Sequence, residues 1–163
     1  MTQFGTGQWR IGTQIVAGRY YSDPATNCYW ERQRGFGGTT ADIIANQFIS
    51  YDALQWIVDI ASTDAAFRSD PPCGTWFNTP RQPAQTTIRA GVWLVGAQVA
   101  TGTYQANVQS GCYWERMRAF TGTVSGDVIA NEFISSSTTR LVTIAATDVG
   151  FKSTAECGTW TRQ

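Results

Sequence analysis

The stretch "CYWERQRGF" at residues 28–36 returns as "CYWERMRAF" at residues 112–120. Each copy opens on a cysteine and carries large side chains at alternate positions. That period of two is the signature of a β-strand with one buried face. In a strand, Cys28, Trp30, Arg32, Arg34 and Phe36 share one side, and Tyr29, Glu31 and Gln33 share the other. The first set is predicted to face a core. Tyr29 and Glu31, with Tyr113 and Glu115, are predicted to face outward.

The repetition extends outward from this motif. Residues 42–50 match residues 127–135 at seven of nine positions. "TDAAFRS" (63–69) parallels "TDVGFKS" (147–153), and "CGTW" closes both halves at 73–76 and 157–160. The chain is therefore one unit written twice, the sequence mark of a repeat architecture. The stretch "FNTPRQPAQ" (77–85), with prolines 80 and 83, reads as a short, stiff connection. The expected organisation is a first unit over 1–79, a linker over 80–84 and a second unit over 85–163.

Short β-prone runs punctuated by glycine dominate each half, as in "WRIGTQIVAGRYY", "LQWIVDIAST" and "TRLVTIAAT". "TADIIANQFIS" has Thr40 as a helix-cap candidate. Its second copy carries Gly126 and a Ser/Thr tract, so it reads as strand or irregular. Five to seven short strands per unit predict an all-β fold of two tandem small β-sandwich or barrel-like repeats. Domains of this size are marginal on core burial alone and usually need a staple. The four cysteines allow three pairings. Cys28–Cys73 with Cys112–Cys157 is the simplest, because each unit then holds a whole disulfide, contributing roughly 4 kcal/mol by loop-closure entropy. The other two pairings would tie the repeats together. Paired cysteines imply an oxidising compartment.

Composition excludes several chemistries. Twelve basic residues balance twelve acidic ones, and they are scattered. No basic face for nucleic acid is expected, and no apolar run is long enough to span a bilayer. The absence of histidine removes Ser-His-Asp and Cys-His catalysis, along with every imidazole metal site. No calcium-loop or phosphate-loop pattern occurs. No metal or cofactor is expected. The N-terminus, "MTQFGTGQWR", lacks the regions of a signal peptide. The expectation is a signal already removed, or exit by another route such as lytic release of virus particles.

Three acidic positions recur as acids: Glu31/Glu115, Asp42/Asp127 and Asp64/Asp148. An inward arginine needs a partner, since an uncompensated buried charge is costly. Asp64 and Asp148 in the "TD" turns join Trp30, Arg32, Trp114 and Arg116 in the predicted structural set. Two carboxylates are enough for glycoside hydrolysis, but units this small leave little room for a deep cleft. Most of the recurring tryptophans (9/93, 30/114, 76/160) are expected in cores. Tyr20, Tyr29 and Glu31, with Tyr104, Tyr113 and Glu115, form the predicted contact surface. Tyr21, Tyr51 and Trp56 occur in the first unit only and would, if exposed, make the units unequal.

The pattern carried by Gly12, Gly18, Tyr20, Cys28, Tyr29, Trp30, Arg32, Ile44, Ala45, Asn46, Asp64, Phe67, Cys73 and Trp76, with their second copies, covers nearly the whole chain twice. It resembles a short cysteine-containing β-repeat of secreted proteins and lipoproteins in actinobacteria and related Gram-positive lineages. The resemblance implies location and fold, and no defined activity. The chain departs from it in lacking a lipobox cysteine, which leaves room for a phage-encoded relative. The functional expectation is a non-catalytic extracellular or particle-surface module acting in binding or assembly. The alternatives are a virion decoration or filament subunit, a lectin-like carbohydrate binder, and a carboxylate-based glycoside hydrolase. Expected partners are a protein, a surface glycan or further copies of the chain.

Overall fold

A computed structural model describes residues 2–163. The first unit contains β1 (Gln3–Phe4), β2 (Gly7–Arg10), β3 (Gly18–Ser22), β4 (Cys28–Gln33), β5 (Ile43–Ile49), β6 (Trp56–Ile60), β7 (Ala66–Ser69) and β8 (Trp76–Phe77). The second repeats them as β9 (Thr87–Ile88), β10 (Gly91–Leu94), β11 (Gly102–Val108), β12 (Cys112–Met117), β13 (Val128–Ile134), β14 (Thr138–Ile144), β15 (Gly150–Ser153) and β16 (Trp160–Arg162). Each unit thus has eight strands, more than the sequence pattern predicts. The two-residue strands β1, β8 and β9 are too short to show periodicity.

In both units the strands form two antiparallel four-stranded sheets, β1-β8-β3-β6 with β2-β7-β4-β5, and β14-β11-β16-β9 with β10-β15-β12-β13. The core lies between them: Tyr20, Val58 and Ile60 from one sheet meet Trp30, Ile49 and Phe67 from the other. This is the sandwich solution to burying one face of each sheet. Cys28–Cys73 and Cys112–Cys157 are bonded, one disulfide per unit. The buried Trp76 Nε1 donates to Ser69 Oγ at 2.8 Å, and Trp160 repeats the bond to Ser153 at 2.9 Å.

Alternation in the opening motif holds through Gln33, whose side chain joins Tyr29 and Glu31 on the outward side. The register shift opposite Arg32 and Gln33, and again opposite Arg116 and Met117, marks a bulge in the facing strand, at Ile44 of β5 and Ile129 of β13. β4 ends at Gln33, so Arg34 and Phe36 leave the inward set and are exposed. The "IAN" segments are strands β5 and β13. The turn before β5 is a short 3-10 stretch, Thr40–Asp42, in which Thr39 rather than Thr40 occupies the cap position. The residue added in the second unit is accommodated in a single helical turn, Val124–Asp127.

The two units interlock through backbone as well as side chains. Leu54 N donates to Ala90 O at 3.1 Å, Val92 N to Gln55 O at 2.9 Å and Asp59 N to Phe120 O at 2.8 Å. Gln55 and Gln98 exchange reciprocal amide hydrogen bonds at 2.8 and 3.0 Å. Arg81 N and Gln82 N of the connecting segment also donate to Gln55 Oε1. Val92, Met117 and Phe120 belong to the first unit's hydrophobic cluster, and Leu54 packs against the second's.

Candidate functional site

The outward side of β2-β7-β4-β5 is organised as rows of residues that face one another across strands. One row reads Gln8, Arg68, Glu31, Asn46. The second unit has Val92, Lys152, Glu115 and Asn131 at the same places. In the first unit this face carries a cleft of about 520 Å³, lined by Gln8, Tyr29, Glu31, Gln33, Phe36 and Arg68 together with the 38–43 turn. That volume lies within the range of small-ligand pockets.

A polar chain runs along the cleft floor. Gln8 Nε2 donates to Gln33 Oε1 at 2.6 Å, and Gln33 Nε2 donates to Glu31 Oε1 at 2.6 Å. Tyr29 Oη donates to Glu31 Oε2 at 2.6 Å, and Asn46 Nδ2 donates to Tyr29 Oη at 3.1 Å. Arg68 Nη1 lies 3.7 Å from Glu31 Oε1 with half its side chain in solvent. Burial, followed by the Glu31 carboxylate, pushes the Tyr29 hydroxyl above the usual tyrosine value. Arg10 stacks over Phe36, 4.2 Å from its ring centroid, at the rim. Phe48 is exposed beside Tyr29 across the strand pair, as is Phe133 beside Tyr113.

The corresponding face of the second unit is covered. Trp56 and Ile57, with Trp30 and Gln47, meet Val92, Met117, Phe120, Gly122 and Lys152, leaving a residual gap of about 10 Å³. Lys152 Nζ lies 5.3 Å from the Trp56 ring, a cation–π contact. It also donates to Glu115 Oε1 at 3.3 Å. Tyr51 packs beside Trp56, and its hydroxyl is pushed up by burial and then by Glu115 and Glu156. Burial, reinforced by Glu115 and opposed by the Asn131 hydrogen bond, raises Tyr113 to about 12.

Several positions predicted to be exposed are buried. Tyr20 and Tyr104, expected on the contact surface, are buried in the cores, where their hydroxyls donate to Val16 O and Ala100 O at 2.9 Å. Glu31 and Glu115, also expected to be free, are buried although they lie on the outer side of the sheet. Neighbouring side chains close over them. Tyr29 and Tyr113 are half-buried. Tyr51 and Trp56 do make the units unequal, by covering the second unit rather than by being exposed.

The other structural residues lie between the sheets or at the unit interface. Arg32 forms a two-point pair with Asp64 at 2.7 and 2.9 Å, and Arg116 repeats it with Asp148 at the same distances. Asp64 and Asp148 also accept the backbone N–H of Ala61 and Ala145. Arg32 has a further bond, Nη1 to Thr121 O of the second unit at 2.7 Å. Trp30 and Trp114 are buried, and the Nε1 of each has no hydrogen-bond partner.

Gln8, Gln33, Phe36 and Arg68 were not among the predicted site residues. A signal for Gln8 and Gln33 exists in the aligned repeats. Gln8, Arg10 and Gln33 stand where the second unit has Val92, Leu94 and Met117. Polar residues in one copy and apolar ones in the other report which face is open and which is sealed.

The model of one family, the Rv1352-like extracellular domain, matches residues 1–77 and again 85–161. No curated protein and no solved structure matches the chain. The chain belongs to the Rv1352-like extracellular domain family, with two copies of the domain in tandem, and its domains are extracellular. Among the described residues no helix is long and apolar enough to cross a membrane.

Proposed function

We propose that this pair of Rv1352-like extracellular domains is a non-catalytic binding module whose ligand face is the cleft of the first unit, with the second unit as its structural support. One observation carries the reading. The same sheet face occurs twice, sealed by a neighbouring unit in one copy and open as a cleft of about 520 Å³ in the other. Aromatic and arginine side chains are enriched at binding surfaces. Phe36 and Arg68 supply both, beside the exposed Gln8.

Hydrolysis by paired carboxylates fits this cleft poorly. Glu31 is the one carboxylate among the residues lining it, and both of its oxygens accept hydrogen bonds. Glycoside hydrolysis needs two acids flanking the scissile bond. A lectin-like reading stands second, favoured by the exposed Phe48 and Phe133, which sit beside Tyr29 and Tyr113 in the same way in both units.

Labelled protein applied to arrays of extracellular proteins and of glycans tests both readings, with Phe36→Asp and Phe48→Ala run alongside. Retention lost in Phe36→Asp and kept in Phe48→Ala supports the cleft. Glycan retention lost only in Phe48→Ala favours the lectin reading. Retention unchanged in Phe36→Asp removes the cleft from consideration.

A further inference from the structure

The covered face of the second unit shows how this sheet accepts an occupant. β10 is an edge strand, and its free side is engaged by the segment preceding β6. Leu54 N donates to Ala90 O, and Val92 N donates to Gln55 O. Gln55 Nε2 adds a third bond, to Val92 O at 3.1 Å. The next residue, Trp56, then lies against Lys152 beside Val92 and Met117. A short segment that bends at Leu54 therefore supplies two backbone hydrogen bonds to the sheet edge, and the strand that follows it supplies an aromatic ring to the sheet face. This is the logic of strand addition, in which the main chain provides affinity and pockets for side chains provide specificity.

The first unit presents the same edge without that cover. β2 stands at the end of its sheet, with β7 as its strand partner. Its register to Arg68 equals that of β10 to Lys152, so Gln8 N–H and Thr6 C=O correspond to Val92 N–H and Ala90 C=O. Thr6, Gly7 and Gln8 are exposed. Arg68, the counterpart of Lys152, is 48% exposed where Lys152 is 12% exposed. The cleft opens directly beside them. Unprotected edges are templates for another chain.

We propose that the β2 edge and the adjoining cleft bind a short segment of another protein, which pairs with Gln8 N–H and Thr6 C=O and lays an aromatic side chain across Arg68. The proposal rests on the reading of the cleft as the ligand face. A second copy of this chain is a poor occupant. The counterpart of the 54–56 segment in the second unit is held within β14, where Thr138 and Thr139 pair with Val108 and Asn107 of β11. Arg140 replaces Trp56 there and would meet Arg68 as a like charge. The two exposed ends of the molecule are thus mismatched for head-to-tail growth, and the occupant is a different protein.

The probe is a blocked synthetic peptide of residues 50–59, Ser-Tyr-Asp-Ala-Leu-Gln-Trp-Ile-Val-Asp, titrated into the full isotopically labelled chain and followed by amide chemical shifts. Two control peptides replace tryptophan with alanine or methylate the leucine amide nitrogen, which removes the donor for Thr6 C=O. The expected result is saturable binding with shifts at Gln8, Gln33, Phe36 and Arg68. Each control should bind at least tenfold more weakly. Shifts confined to Val92 and Lys152 overturn the proposal, because the peptide then competes at the sealed face. Binding at the cleft that ignores amide methylation overturns strand addition and leaves the cleft reading intact. No binding, with array retention still sensitive to Phe36→Asp, likewise overturns the inference alone. Loss of both results overturns the inference and the cleft reading together.

Discussion

Phe36 and Phe120 close the same motif in the two units, yet one is 45% exposed and the other 1%. Phe36 lies under Arg10 at the rim of an open cleft, whereas Phe120 is pressed into the neighbouring unit beneath Arg19, 4.6 Å from its ring. Ile57 and Leu141 show the reverse relation, 3% against 60%. The contact between units is therefore heterologous: one face of the first unit meets a different face of the second. Such a contact leaves an unused copy of each face at the ends. Duplicated folds need not have duplicated roles, because packing the copies together consumes one site of each kind.

The free ends carry the chemistry expected of terminal repeats, which need polar outer faces. At one end Gln8, Arg10 and Gln33 replace apolar residues of the other unit. At the other end Thr103 and Thr143 replace Arg19 and Asp59, which form an ion pair at 2.6 Å in the first unit. The threonine hydroxyls bond each other at 3.1 Å. Arg140, in place of Trp56, pairs with Glu132 at 3.1 Å. Sequence drift between the copies follows the contact.

The largest test of this asymmetry uses the repeated ion pair. The Arg32 side chain is 7% exposed and that of Arg116 is 23% exposed, while their aspartates are both buried. Arg32→Ala strands Asp64 away from water and also removes the bond to Thr121 O. A loss of about 3–5 kcal/mol is expected, the range for breaking a buried pair. Arg116→Ala opens Asp148 to solvent at an already accessible side, with an expected loss of about 2 kcal/mol. Chemical denaturation of the full chain measures both. Equal losses would mean that the unit interface adds nothing to the first pair.

The repeat, the all-β class, the two within-unit disulfides and the extracellular setting were legible because they rest on local pattern and spacing. The burial of Glu31 and Tyr20 was not. Glu31 does lie on the outer side of β4, as alternation requires, but Tyr29 and Gln33 close over its carboxylate. Tyr20 is amphipathic. It fills the core with its ring and reaches a backbone carbonyl with its hydroxyl, a solution that alternation cannot distinguish from exposure. The cleft depends on cross-strand register among β2, β7, β4 and β5, which a single strand does not encode. The docking of Trp56 onto Lys152 depends on contacts between units, beyond any local period.

A smaller effect separates two equivalent glycines. Gly38 and Gly122 both have positive φ, 71° and 82°. A Cβ on Gly38 would meet nothing within 4 Å, whereas one on Gly122 would lie 2.5 Å from the Trp30 ring and 3.2 Å from Ala45 Cβ. Gly38→Ala should cost about 1 kcal/mol, the strain of the left-handed conformation. Gly122→Ala adds overpacking against a buried indole, for about 2–4 kcal/mol in total. Thermal unfolding midpoints rank the two variants. An inverted ranking would mean that the 120–122 loop does not rest on the first unit.

The smallest effect concerns alkaline pH. Tyr113 titrates at about 12, above the usual tyrosine value of about 10. Between those values the unfolded chain loses this proton while the folded chain keeps it. The unfolded state then binds fewer protons, so stability falls as pH rises. The contribution is fully present below about pH 10 and is lost as pH climbs toward 12. Tyr29 is shifted in the same direction, burial again leading. Tyr113, however, lies beside the sealed face, where Lys152 sits between its ring and that of Trp56. Tyr113→Phe should therefore flatten the decline in stability between pH 10 and 12 more than Tyr29→Phe does. Urea unfolding at a series of pH values reads both slopes. If Tyr29→Phe flattens the decline more, the open cleft holds its tyrosine more tightly than the sealed face, and the contrast between the two units is reversed at this position.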